Sequence, residues 1–276
     1  MDTWIKILQF LDADMETPAP YGWFHLLWLA LTVLATVFLC VHGKKQSPNQ
    51  IRNTILGITI ACILLEIYKQ INYTFRVDNG GLTVDFQWYA FPWQFCSVPV
   101  YVGLLAGLIR KSKIHSALCA FLATYSIFAG VCVMVYPVQV FISTIGINIQ
   151  TMVWHGSMIV IGIYLLYTGY VKVTHKTILK ALPVFLVAAL IAMVLNEIAY
   201  RSGLLETETF NMFYFSPYCE PSLPVYSIVQ AMVPYPWCLI LYIGGFTLAA
   251  YLILLIAIGI KRIFSKSVPK EAVAIQ

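Results

Sequence analysis

Long apolar runs, separated by short links that hold most of the charges, dominate this sequence. Charged residues make up 11% of the 276 residues and the mean hydropathy is +0.81, whereas about 25% of the residues in a soluble domain are charged. Because hydrocarbon offers the backbone no hydrogen-bond partners, such runs cross a bilayer as helices. We therefore predict an all-α polytopic membrane protein that forms a single membrane domain over residues 1–276.

The apolar runs predict a bundle of seven transmembrane helices within residues 21–260. The segment before it, residues 1–20, contains a short stretch with one apolar face that is too short to cross, and we expect it to lie in the external interface. Residues 261–276 form a basic cytoplasmic tail, and Asn79-Gly80-Gly81 predicts a turn between the second and third spans. The expected spans are 21–42, 51–73, 91–110, 115–137, 149–171, 178–200 and 235–260.

The distribution of charge predicts the orientation of this bundle. With seven helices, one side of the membrane holds thirteen of the seventeen basic residues and one acid, and the opposite side holds nine acids and three basic residues. The positive-inside rule then places the N-terminus outside and the C-terminus in the cytoplasm. Since the basic residues lie in turns between spans, their surplus serves orientation, and we expect no nucleic-acid partner. The seven cysteines have neither metal-ligand spacing nor a disulfide framework, so we predict no metal and no cofactor.

Polar side chains near the outer ends of the predicted helices indicate a functional site. Ionisable groups cost about 2.5 to 3.5 kcal/mol at the centre of a membrane helix, which makes them functional candidates. Depths calculated from the helix rise place these side chains in the outer third of the membrane. We predict one polar site shared by five helices and formed by His25, Glu66, Lys69, Gln94, Cys96, His155, Asn196 and Glu197, with Arg201 one turn beyond.

Structural roles for these residues remain open at this stage. Glu66 and Lys69 are three residues apart on one helix face and can neutralise each other. The other polar residues can bond neighbouring helices or lie in the interface. This applies to Gln94, Asn196, Glu197 and His25.

Cys96 differs from the other cysteines in its neighbours. Gln94 and Ser97 flank it at the predicted start of the third span, where the helix dipole and free amides favour a thiolate. His155 lies at a matching depth in the fifth span. A thiol beside an imidazole suffices for acyl transfer, because the imidazole takes the proton while sulfur attacks an ester carbonyl. Gln94 or backbone amides would hold the oxyanion.

Several short motifs resemble those of a known membrane-protein family. They are WQFCS at residues 93–97, WHG at 154–156, NMFYFSP at 211–217 and VPYPW at 233–237. In order and spacing the chain is similar to the YwaF family of bacterial multi-pass membrane proteins, which is related to the transmembrane-protein-164 acyltransferases. The resemblance implies a bacterial cytoplasmic membrane and cysteine-dependent transfer of a fatty acyl chain from or to a phospholipid or lysophospholipid. Cys96 would be the acyl acceptor and His155 the base.

The chain departs from the bacterial pattern at one position. Bacterial members commonly read His-Leu-Cys where this chain reads Gln94-Phe95-Cys96, which leaves His155 to act as base alone. The remaining polar residues are expected to order the pocket or bind the lipid headgroup, with Lys69 or Arg201 holding a phosphate. The aromatic link at residues 201–234 is expected to cover the pocket as a lid, or else to form an interfacial belt. Its aromatic members are Phe210, Phe213, Tyr214, Phe215, Tyr218 and Tyr226.

Another class of protein remains open beside the lipid acyltransferase. The same polar cluster suits a non-catalytic transporter or receptor that binds a small amphiphile or cation in an outer-leaflet cavity. The two hypotheses differ in whether Cys96 takes part in a covalent step.

Overall fold

The computed structural model describes residues 2–78, 81–110, 112–220 and 223–266, and most of them are helical. The helices are α1 (Asp2–Leu11), α2 (Trp23–Gly43), α3 (Pro48–Thr74), α4 (Val98–Leu108), α5 (Lys113–Phe121), α6 (Ile127–Val135), α7 (Ile145–Tyr167), α8 (Lys176–Arg201), α9 (Pro224–Met232) and α10 (Tyr235–Lys266). One antiparallel hairpin, β1 (Phe75–Asp78) and β2 (Gly81–Val84), follows α3. The prediction of an all-α membrane protein is confirmed, apart from this hairpin.

Within the described ranges, six helical segments are long and apolar enough to cross a membrane. They are α2, α3, the combined α5 and α6, α7, α8 and most of α10. A buried π-helical segment, Leu122–Ser126, joins α5 to α6 and makes them one span. The remaining helix, α4, has 11 residues, so it is about 16 Å long and covers about half of the hydrocarbon core. Seven crossings and the orientation of the termini stay predictions. Two residues of the predicted turn, 79 and 80, lie outside the described residues.

The third span differs most from its prediction. We expected a helix over residues 91–110, but residues 91–97 form turns and a short 3₁₀ segment precedes them. The α-helix begins at Val98, and Pro99 occupies its first turn, where the missing proline N–H leaves no bond unmade. Gln94 and Cys96 therefore precede the helix, and the expectation that they lie in its first turn was wrong.

Two glycines bring α4 close to the N-terminal half of α3. A Cβ added at Gly103 would lie 2.5 Å from Thr59 Oγ1, and one added at Gly107 would lie 2.7 Å from the Cβ of Leu56. Small residues four apart allow membrane helices to approach in this way. Towards its first residue α4 carries the larger Val100, and the C-terminal part of α3 continues past the start of α4. The helices consequently leave a groove between them on this side.

We expect Gly107→Ala to lower the free energy of unfolding by about 1 to 3 kcal/mol, the usual cost of forcing an extra methyl into a packed contact. The methyl group would overlap both the side chain and the backbone of Leu56. The matched control is Gly57→Ala on α3, where an added Cβ meets nothing within 4 Å. Thermal unfolding in detergent measures both variants, and equal midpoints would contradict the close packing of α3 and α4.

Aromatic rings fill the centre of the bundle. Phe121 stacks on Tyr125 with ring centroids 5.4 Å apart, and Tyr125 stacks on Phe185 of α8 at 4.7 Å. Phe185 in turn stacks on Phe213, which comes from the loop after α8. The outer faces of α2, α8 and α10 carry many exposed apolar side chains, as expected of surfaces that face lipid.

The amphipathic helix α1 forms as expected, and the residues at its end are attached to the C-terminal end of α3. The Tyr68 hydroxyl donates to the carbonyl of Leu11 at 2.7 Å, and Asn72 Nδ2 donates to Asp12 Oδ1 at 3.1 Å. Its position in the external interface stays a prediction. The contacts do fix this segment against the bundle, close to the helix that carries Glu66.

Candidate functional site

Cys96 lies in the turn before α4 and is partly buried. Its backbone carbonyl accepts a hydrogen bond from Trp154 Nε1 of α7 at 2.9 Å. Its thiol lies within electrostatic range of Glu66 and Lys69 on α3 and of Tyr214 in the loop after α8. In the sequence Trp154 is the first residue of the WHG motif, and the motif alone indicates no role for it. The structure shows that Trp154 connects the cysteine turn to the helix that carries His155.

His155 is buried in α7, one residue after Trp154, with 5% of its surface exposed. The Thr151 carbonyl can only accept, so the 2.8 Å contact means that His155 Nδ1 carries the proton and donates it. The other ring nitrogen, Nε2, then holds a lone pair, and it is buried without a partner among the described residues. This is the tautomer that a general base requires.

The pairing of Cys96 with His155 stays a prediction. The hydrogen bonds of the described residues include none between the thiol and the imidazole. Both groups do lie within electrostatic range of the Lys69 ammonium, and Trp154 joins their two segments. His155 is ten residues after the first residue of α7, about 15 Å along the helix, and its depth in the membrane stays a prediction. Catalytic hydrogen bonds are often long before substrate binds.

Glu66 is the centre of a polar cluster between α3 and α7. Its Oε1 accepts from Lys69 Nζ at 2.7 Å and from Gln70 Nε2 at 2.8 Å, and its Oε2 accepts from Gln150 Nε2 at 3.4 Å. The neutralising ion pair that the sequence left open is therefore present. Lys69 has three N–H donors, and the described contacts account for one of them.

Gln94 and Asn196 hold the backbone of the loop after α8. Gln94 Nε2 donates to the carbonyl of Asn211 at 3.0 Å and its Oε1 accepts from Phe213 N at 2.9 Å. Asn196 bonds both backbone groups of Met212, at 3.0 Å and 2.7 Å. Each side-chain amide thus both donates to a backbone C=O and accepts from a backbone N–H of the loop, as a neighbouring strand would. Gln94 and Asn196 are positioning residues. Of the roles left open by the sequence, these contacts favour the structural one for both, a hydrogen bond to a neighbouring segment.

The loop that these amides hold has an unusual backbone. Phe213 and Tyr214 have φ angles of 61° and 56°, a left-handed conformation that is uncommon for residues other than glycine. Such a conformation persists only where its surroundings fix it. The consequence is that Phe213 enters the aromatic core, while Tyr214 is 38% exposed and lies within electrostatic range of the Cys96 thiol.

We expect Asn196→Ala to lower the free energy of unfolding by about 1 to 3 kcal/mol, because the buried N–H and C=O of Met212 lose their partners. Val194→Ala on the same helix is the control, since Val194 is 51% exposed and surface changes usually stay within about 0.5 kcal/mol. Thermal unfolding in detergent compares the two. Equal losses in both variants would show that Asn196 does not hold the loop.

Glu197 and Arg201 lie in an exposed cluster at the end of α8. Arg201 Nε donates to Glu197 Oε1 at 2.6 Å, and the Tyr218 hydroxyl donates to Glu197 Oε2 at 2.6 Å. The Tyr218 ring stacks on Tyr200 at 3.7 Å between centroids. The hydrogen bonds that the structure describes for Glu197 and Arg201 stay within this cluster. The structure does not bring these two residues together with Cys96.

His25 also lies apart from the other candidates. It is completely buried, and its Nδ1 accepts from Tyr21 N at 2.9 Å while its Nε2 bonds the carbonyl of Met134 at 2.9 Å. Both ring nitrogens are therefore used in joining the start of α2 to the end of α6. His25 is a structural histidine, and the interfacial alternative does not fit its burial.

The aromatic link is packed into the bundle for much of its length. Four of its aromatic residues, Phe210, Phe213, Phe215 and Tyr226, are at most 6% exposed, whereas Tyr214 and Tyr218 are partly exposed. The buried four belong to the core, so the predictions of a lid or an interfacial belt were wrong for them.

The sequence patterns missed a thiol–imidazole contact that the structure shows. Cys119 Sγ lies 3.5 Å from His115 Nε2, which also bonds the Tyr170 hydroxyl at 2.7 Å. The i, i+4 spacing of the two residues in the fourth predicted span was the available signal. Both side chains are buried at the opposite end of the bundle from the Glu66 cluster.

A groove of about 420 Å³ lies between α3, α4 and the turn that precedes α4. Its walls are mostly apolar, Glu66 and Gln70 also line it, and Trp154 lies on α7 behind it. We call it the α3–α4 groove. Its lining residues are Ile63, Glu66, Ile67, Gln70, Ile71, Thr74, Phe75, Pro92, Val100, Tyr101 and Trp154.

The six apolar helices and the polar groups that they bury are those of an integral multi-pass membrane protein. A family model described as the TMEM164 family matches residues 20–257. The chain belongs to this family. No curated protein and no solved structure matches the chain.

Proposed function

We propose that the protein is a membrane-embedded lipid acyltransferase or transacylase in which Cys96 carries the acyl group as a thioester. One observation carries this proposal: the cysteine turn is fixed to α7 through Trp154 and to the loop after α8 through Gln94, beside a groove with apolar walls. A thiol held in this way can meet an acyl ester that arrives from the bilayer. Proximity and orientation of this kind contribute strongly to catalysis.

In the first half of the proposed reaction, His155 Nε2 accepts the thiol proton and Cys96 sulfur attacks the ester carbonyl of a phospholipid. A C–S bond forms, and the bond between the carbonyl carbon and the glycerol oxygen breaks. His155 returns the proton to that oxygen, and a lysophospholipid leaves. Tyr214 has a hydroxyl suited to donate a hydrogen bond to the oxyanion.

In the second half, the hydroxyl of an acceptor lysophospholipid attacks the thioester carbonyl. His155 takes the hydroxyl proton, a C–O bond forms, and the C–S bond breaks. The proton then returns to the Cys96 thiolate, so that the enzyme is restored and no external oxidant or cofactor is consumed. Lys69 would bind a lipid phosphate as a point charge, and this role is supported by the donors that its ammonium has beyond the one that bonds Glu66.

The proposed location is a bacterial cytoplasmic membrane with the N-terminus outside. The charge count of the sequence supports this orientation. Cys96 would then meet lipid of the outer leaflet, because α3 travels outward from Pro48 and carries Glu66 towards its far end.

Reconstitution into vesicles tests the proposal. The vesicles contain a phospholipid with an isotopically labelled acyl chain and an ether-linked lysophospholipid acceptor, with protein-free vesicles as the control. We expect labelled chains on the acceptor, detected by mass spectrometry. Flux of a lipid or solute across the vesicle membrane without any exchange of acyl chains would overturn the proposal in favour of a transporter.

A further inference from the structure

We infer that the α3–α4 groove binds one acyl chain of a membrane phospholipid, which enters sideways from the bilayer. This inference rests on the proposed function and names the place where its substrate is held. It concerns the groove itself, which none of the sequence patterns indicated.

The groove exists because the two helices that form it differ in length. α3 has 27 residues and α4 has 11, so they measure about 40 Å and about 16 Å. Gly103 and Gly107 press the helices together at the N-terminal half of α3. Before the first residue of α4, turns replace the helix that would have covered α3, and a space is left beside α3.

The surroundings of the groove indicate what occupies it. Ile67 in its wall is 50% exposed, and Leu64 and Leu105 beside it are 62% and 46% exposed. In a bilayer this face meets hydrocarbon, since side chains of this kind are favoured there. A space of about 420 Å³ falls in the usual range of small-molecule sites, about 300 to 1,000 Å³. An acyl chain matches both the apolar walls and the medium outside them.

The groove also leads to the proposed nucleophile. Trp154 is one of its lining residues, and the same indole donates its N–H to the carbonyl of Cys96. Glu66 and Gln70 add polar groups to walls that are otherwise apolar. A phospholipid whose acyl chain lies in the groove would therefore have its ester group near the Glu66 and Lys69 cluster and the Cys96 turn.

Photolabelling in vesicles tests the inference. A phospholipid with a diazirine in its acyl chain is irradiated with full-length Cys96→Ser protein, so that no turnover is needed, and the labelled peptides are sequenced. We expect labelling on α3 around Ile67 and Ile71 and on α4 at Tyr101. Ile67→Trp, which fills the groove, should lower this labelling about tenfold, the effect of about 1.4 kcal/mol of lost binding. Leu64→Trp, also facing lipid but outside the groove, should leave it unchanged.

Two outcomes would overturn the inference: labelling spread evenly over α2 and α10, or groove labelling that is equal in Ile67→Trp and Leu64→Trp. Ile71→Trp serves as a second groove variant, and thermal unfolding confirms that each variant is folded. The outcomes are separable from those for the proposed function. Groove labelling in a protein without transferase activity would refute only the acyltransferase, whereas acyl transfer without groove labelling would refute only the acyl-chain site.

Discussion

Replacing Cys96 by serine should lower acyl transfer by about 10⁴-fold or more, the scale on which loss of a nucleophile lowers kcat in hydrolases. A serine hydroxyl fits the same turn and leaves the Trp154 bond to the backbone carbonyl in place. It is a much weaker nucleophile than a thiolate, however, because an alcohol ionises far less readily than a thiol. The vesicle transfer assay gives the rate for both proteins.

The control for this prediction is Cys119→Ser. Among the described residues, Cys119 is the cysteine whose thiol contacts an imidazole, at 3.5 Å from His115 Nε2, so it is the strongest internal rival. We expect Cys119→Ser to transfer acyl groups at close to the unmodified rate when compared per folded protein. Loss of transfer in Cys119→Ser together with full activity in Cys96→Ser would contradict the prediction. The acyl carrier would then be Cys119, at the opposite end of the bundle.

His155→Gln should lower acyl transfer by about 10² to 10⁴-fold, the usual contribution of a general base. Glutamine can keep a hydrogen bond to the Thr151 carbonyl, so that the helix is disturbed little, but it cannot accept and return a proton. The deficit should narrow as pH rises, because hydroxide then ionises the thiol directly. Transfer rates measured across a pH series check both expectations.

A structural role for His155 would give a different result. A histidine that only packs α7 would lose stability on substitution, and its remaining activity would follow the pH profile of the unmodified protein. A deficit relative to the unmodified protein that is the same at every pH, or no deficit at all, would therefore contradict the role of His155 as base. Thermal unfolding of the same samples separates lost folding from lost catalysis.

The sequence predicted most helix positions because apolar length and flanking charge determine where a chain crosses a bilayer. The second, fifth and sixth predicted spans lie within α3, α7 and α8 or differ from them by a few residues at their ends. The third failed because hydropathy does not distinguish apolar turns from apolar helix. Pro99 can occupy only the first turn of a helix without loss, and its position marked the true start.

The candidate site was harder to predict, because depth along a helix does not reveal the direction in which a side chain points. Asn196 and Glu197 are adjacent in the chain and thus about 100° apart around the helix. Asn196 is buried and holds Met212, while Glu197 faces outward to Tyr218. The Gln94 contact with Phe213 joins residues 119 positions apart, and no local pattern encodes such a pairing.

The α3–α4 groove could not be predicted from the sequence either. It arises from the close approach of Gly107 to Leu56 and from the missing turns before Val98. Both features depend on how two helices pack. Sequence periodicity describes each helix separately and so cannot reveal the space between them.

The most direct test is the mass of the peptide that contains Cys96 after the protein has been incubated with phospholipid of defined acyl composition. We expect this peptide to gain the mass of one acyl chain, through a thioester that hydroxylamine cleaves, and peptides containing the other cysteines to stay unmodified. Continued acyl transfer with Cys96 unmodified at every time point, or with the acyl group on another cysteine, would contradict the role of Cys96 as acyl carrier.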